Sequence, residues 1–108
     1  MKLFVYEHIT SGALAEHQLP TSLANEGDQM LLAALKDCHD TQRCTLFTQR
    51  DSRLNDLDIV EQNPNYYCHP AANLIDYRHA WNRCLNQCDA VLIIAPETNA
   101  ILATLQQR

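Results

Sequence analysis

Apolar positions along the chain change their spacing several times, and each change predicts an element. Residues 2–6 (KLFVY) are a run rich in β-branched and aromatic side chains, cut off by the polar segment EHITSG. That pattern predicts a first strand followed by a loop. After Pro20, the positions Leu23, Gly27, Met30 with Leu31, Ala34 with Leu35, and Cys38 recur at helical spacing, while Asn25, Asp28, Gln29 and Lys36 fall largely elsewhere around the axis. The spacing predicts a helix over residues 21–38. Residues 43–48 (RCTLFT) predict a second strand, and the polar cluster QRDSRLND that follows predicts a loop.

Residues 57–61 are expected to add a short third strand, ended by the breaker Asn63-Pro64-Asn65. His69-Pro70 predicts a helix start, because proline at the first helical position forfeits no intrahelical hydrogen bond. Leu74, Tyr77, Trp81, Cys84 with Leu85, and Cys88 then step at helical intervals to an end near Asp89. Residues 90–95 are continuously apolar, as expected of a parallel strand with both faces covered by helices. Thr98 suits the N-cap of a last helix over residues 99–107, its hydroxyl accepting from an otherwise unpaired backbone N–H.

The resulting order, β-α-β-(β)-α-β-α, implies an α/β fold: a three-layer, Rossmann-like parallel sheet forming a single domain over residues 1–108. In such sheets ligands bind beyond the carboxyl ends of the strands. The segments EHITSG, TQRDSR and APETN all fall on that edge and define the candidate site.

Composition narrows the picture. The 108 residues are 46% hydrophobic and 19% charged, which suits one globular domain with a modest core. The net charge of -5, with eight scattered Lys and Arg residues, argues against a nucleic-acid or anionic membrane partner. Glu7 and His8 interrupt the first apolar run too early for a signal-peptide core, and residues 90–95 are too few to span a bilayer. A cytoplasmic location is therefore expected, with the five cysteines as thiols.

Each candidate constellation has a plain structural reading beside the functional one. Gly12 stands alone in its loop, short of the three glycines of a dinucleotide fingerprint. Thr98 as a cap, with Glu97 near the positive end of the helix dipole, explains those two residue types without any ligand; their position on the ligand edge supports binding. Arg50, Asp51 and Arg53 could hold a carboxylate or phosphate, or simply pair with each other in a solvated loop. Cys84 and Cys88, with Cys68 and His69, allow a zinc-stabilised domain, yet they lack the second ligand pair usual in structural sites and read mainly as core. No phosphate loop of the GxxxxGK type, HExxH or recognisable Ser-His-Asp arrangement is present, so no residue of this segment is assigned a catalytic or metal-binding role.

The segments KLFVYEHITSGAL, LPTSLANEGDQMLLAALKD, TLFTQRDSRL and DAVLIIAPETNAILATL, in that order, resemble the amino-terminal region of ATP-grasp carboxylate–amine ligases. Within that family they resemble the group that includes the tyramine–glutamate ligase of methanofuran biosynthesis and its methylotroph relatives. The resemblance covers nearly the whole chain and is weakest across residues 55–69.

It implies a pre-ATP-grasp domain on the substrate side of an enzyme that phosphorylates a carboxylate with ATP and Mg2+ and forms an amide with an amine. The implied role is in cofactor biosynthesis linked to one-carbon metabolism. ATP and Mg2+ would be held by later ATP-grasp domains, so this segment alone would carry no catalysis. The resemblance points to Glu7, Ser11, Gly12, Asp51, Arg53, Glu97 and Thr98 as substrate-side positions, although the turn Ser11-Gly12-Ala13 is poorer in glycine than expected of relatives. Two further expectations stand beside it. A stand-alone flavodoxin-like module binding a small ligand is the alternative, and a segment cut from its ATP-grasp body would pair Leu102 and Leu105 with a second copy as a homodimer.

Overall fold

The computed structural model describes residues 1–40, 44–55, 57 and 66–95. Six elements follow in order: β1 (Lys2–Glu7), α1 (Thr21–Asp40), β2 (Thr45–Asp51), β3 (Tyr66–Ala71), α2 (Leu74–Gln87) and β4 (Ala90–Ile94). The four strands form one parallel sheet in the order β3-β2-β1-β4. This matches the 3-2-1-4 portion of the Rossmann strand order, distinct from the 2-1-3 order of flavodoxins. The expected strand over 57–61 and the expected last helix fall mostly or wholly outside the described residues.

Strand alternation sorts the core into two layers. Leu3 and Val5 face α1 and pack with Leu31, Leu35, Leu46 and Tyr66, whereas Phe4 and Tyr6 face α2 and pack with Phe47, Ala71, Tyr77 and Cys84. Leu31 and Leu35 are completely buried, each contributing on the order of 1.5–3 kcal/mol. The central strand β1 is thus covered on both faces, and its unbroken apolar run reflects that. Trp81 meets Phe4 and Tyr6 edge-on, with ring centroids 5.5 and 4.9 Å apart.

Four expectations need correction. Gln49, Arg50 and Asp51 belong to β2 and are buried, despite reading as loop. His69 and Pro70 lie in β3, and α2 starts later, where Asn73 accepts from the Asp76 N–H at 2.8 Å. Proline is tolerated in β3 because that strand pairs only with β2 in the described sheet, so a missing N–H on the outer side breaks no ladder bond. On the helices, Leu23, Met30 and Leu85 are exposed rather than core. Val91, Leu92 and Ile93 of β4 are 38–41% exposed, since α1 and α2 pack over β1, β2 and β3 and β4 is an edge of the described sheet.

A candidate substrate pocket between β1 and β4

The chain leaves β1 for a helix on one face of the sheet and reaches β4 from a helix on the other. The carboxyl ends of these neighbouring strands therefore form the topological switch point, where open α/β sheets bind ligands. A cavity of about 270 Å³ opens there. Glu7 at the tip of β1, Ile9 in the following loop and Ala95 just beyond β4 form one side; Leu23, Glu26, Gly27 and Met30 of α1 form the other. Leu23 and Met30, out of place in a core stripe, form apolar walls of this cavity.

Glu7 is its anchor. The side chain is 2% exposed, with Oε1 accepting from the Thr10 N–H at 2.8 Å and Oε2 from the Ile9 N–H at 3.1 Å. Backbone donors hold the carboxylate in place at the mouth of the loop. Gly27 makes room for it, because a Cβ at that position would run into the Glu7 carboxylate. A glycine inside a helix costs about 1 kcal/mol relative to alanine, and here close approach of the carboxylate supplies the reason for it.

Residues 8–17 fold as a series of turns over the other strand ends. The Asp51 N–H donates to Thr10 O at 2.7 Å, and Gln49 Nε2 donates to Ser11 O at 3.0 Å. Gly12 adopts φ 98°, with the position of a Cβ only 2.5 Å from Ala71 Cβ in β3. Arg53 bonds Asp51 through Nε (3.0 Å) and Nη2 (2.7 Å), and also donates to Leu14 O and His17 O at 2.8 and 2.7 Å. Ser11 Oγ donates to His8 O at 2.7 Å and accepts from the Ala13 N–H. The described contacts of Ser11, Gly12, Asp51 and Arg53 thus shape the loop, while Glu7 lines the cavity; Glu97 and Thr98 lie outside the described residues.

Burial alone would raise the Asp51 carboxyl, but the Arg53 hydrogen bonds and the charges of Arg53 and Arg50 outweigh it and hold the group below its ordinary value. A carboxyl depressed in the folded state stabilises at pH values above its unfolded value, and that contribution disappears as pH falls through the folded one. Stability carried by Asp51 should therefore be intact at neutral pH and lost below about pH 4. Asp51→Asn should lower the melting temperature at pH 7 and flatten its decline between about pH 5 and 3. An unchanged acid profile would show that the pair does not support the fold.

Sequence reading missed two features. Glu26, Ile9 and Met30 carry no signal of their own, although the helical Gly27 does, since such a residue needs a packing reason. On the α2 face Tyr6 Oη lies 2.8 Å from both His8 Nδ1 and Tyr77 Oη, and 3.3 Å from Ser11 Oγ. Tyr77 is a core residue as expected, whereas Trp81 is half-buried and packs against the core from its rim; the Tyr77 hydroxyl also ties α2 to the tip of β1.

No three His, Cys, Asp or Glu side chains among the described residues come together as a metal site. His69 stacks on Phe47, and burial pushes the Cys84 thiol up to about 12. The lone Gly12, spent on packing against Ala71, makes no glycine-rich cradle for phosphates. These residues do not fit an ATP or Mg2+ site.

The family model for the pre ATP-grasp 3 domain matches residues 44–108, more than half of the chain. The match spans β2, β3, α2 and β4; β1, the 8–17 loop and α1, which supply most of the cavity, precede it. No curated protein and no solved structure matches the chain. With the parallel 3-2-1-4 sheet and the open crevice at its switch point, the match places the chain in the pre ATP-grasp 3 domain family, the amino-terminal domain of ATP-grasp ligases.

Proposed function

We propose that this domain forms the substrate-side wall of an ATP-dependent carboxylate–amine ligase. The observation that carries the reading is the cavity anchored by buried Glu7 at the β1/β4 switch point of a pre-ATP-grasp chain. In the overall reaction a carboxylate takes the γ-phosphoryl group of ATP to give an acyl phosphate and ADP. An amine then attacks the acyl carbon, phosphate leaves with the C–O bond electrons, and the nitrogen loses a proton to give the amide. ATP and Mg2+ are assigned to ATP-grasp domains outside this chain.

The chain's own task is to position a substrate. Glu7 is the direct contact, and Ser11, Gly12, Asp51 and Arg53 fix the loop that holds it. Glu97 and Thr98, which follow β4 in the sequence and lie outside the described residues, complete the proposed set. The family resemblance suggests tyramine and glutamate as the first pair to assay, in a methanofuran-type biosynthetic role. The enzyme containing this chain should release ADP only with both a carboxylate and an amine present, in step with amide formation. ADP release that ignores the amine, or yields no amide, would refute the reading.

A further inference from the structure

We infer that the β1/β4 cavity binds the amine substrate, as an ammonium group on an apolar body, rather than the carboxylate. The inference rests on the ligase reading for its place in the reaction, but the selectivity follows from the cavity itself. Its charged lining residues are Glu7 and Glu26, and none of the described lining residues is basic. The nearest arginines of β2 and its loop are committed elsewhere: Arg50 makes a two-pronged pair with Asp28 at 2.7 and 3.0 Å, and Arg53 is tied to Asp51. A carboxylate entering beside Glu7 would meet like charge, with no compensating cation among the described lining residues.

An ammonium meets the opposite. A carboxylate offers about four lone-pair sites, and the Ile9 and Thr10 N–H groups occupy two of those on Glu7, leaving acceptor capacity for a three-donor ammonium. Glu26 adds a second negative charge from α1. Around these charges Leu23 and Met30 are 40% and 45% exposed, and Ile9 closes the inner wall. Large apolar side chains left in water beside a buried carboxylate suit a ligand with one cationic end and an oily remainder.

The test is a ligand series of one length and three charges, followed by amide chemical shifts of the unaltered chain: hexylamine, hexanoate and 6-aminohexanoate at pH 7. Hexylammonium should produce saturable shifts at Ile9, Thr10 and Gly27, and 6-aminohexanoate should bind at least roughly tenfold more weakly, since its second charge lands among apolar walls. Glu26→Gln, on the exposed side of α1, should weaken hexylammonium several-fold while the spectrum stays folded. Hexanoate or 6-aminohexanoate binding as well as hexylammonium overturns the inference, as does absence of saturable shifts with hexylamine. Failure of the ligase reading would show elsewhere. A chain that prefers hexylammonium within an enzyme forming no amide refutes the ligase and leaves the amine selectivity standing; amide formation alongside a preference for hexanoate refutes the inference alone.

Discussion

Gly12→Ala should lower the unfolding free energy by about 2–5 kcal/mol, combining backbone strain of about 1–3 kcal/mol with a comparable overpacking cost. Both parts come from one residue. The φ of 98° lies where a side chain is poorly accommodated, and the added methyl would sit 2.5 Å from Ala71 Cβ, itself completely buried. Neither β3 nor the loop can yield cheaply, because the loop is stitched to β2 by the Asp51 N–H and to Arg53 through Leu14 O and His17 O. Against a total stability of roughly 5–15 kcal/mol this is a large loss. Urea denaturation measures it directly, and a loss below about 1 kcal/mol would mean that the loop relaxes away from Ala71 at little cost.

Glu7→Ala should be nearly as damaging, because it strands the Ile9 and Thr10 N–H groups; each buried donor left unpaired costs about 1–3 kcal/mol. Its coupling to Gly27 gives a sharper result. Gly27→Ala alone drives a methyl into the Glu7 carboxylate and costs about 1–3 kcal/mol, partly offset by the gain of about 1 kcal/mol in helix propensity. With Glu7 truncated the obstruction is gone, so Gly27→Ala should become neutral or stabilising. A double-mutant cycle in urea should therefore show strong non-additivity. Additive losses would separate Gly27 from Glu7 and remove the packing rationale for the helical glycine.

The sequence carries the layer order because burial on two faces leaves a plain mark: KLFVY is apolar throughout, and α1 and α2 show helical stripes. It misleads where polar side chains are buried by partners far along the chain. Gln49, Arg50 and Asp51 look like loop, yet inside the fold Gln49 Nε2 donates to Ser11 O, Arg50 pairs with Asp28 and Asp51 pairs with Arg53. YYCHPA hides a strand for a different reason, since proline signals a break unless the strand lies at an edge. The apolar run of β4 looks like a covered strand, but adjacency in the sheet, which sequence periodicity does not encode, leaves Val91, Leu92 and Ile93 exposed.

The candidate site shows the same division. Glu7 was legible as a polar residue at a strand tip, and the edge of the sheet was legible from the element order. Which tip residues face the cavity was not, because that depends on how the 8–17 loop folds back over β2 and β3. Arg53 and Asp51 were marked by position and spend their described contacts on that loop, whereas Leu23 and Met30 looked like core and form cavity walls.

The central claim, that this cavity receives a substrate of the ligase, is tested most directly by filling it. Met30 is 45% exposed on α1, so Met30→Trp can place a larger ring across the opening without disturbing the buried layer. In the enzyme containing this chain, steady-state kinetics should show KM for one of the two non-nucleotide substrates raised at least roughly tenfold, with KM for ATP unchanged. Unchanged KM values for both the carboxylate and the amine, in a variant that remains folded, would contradict it.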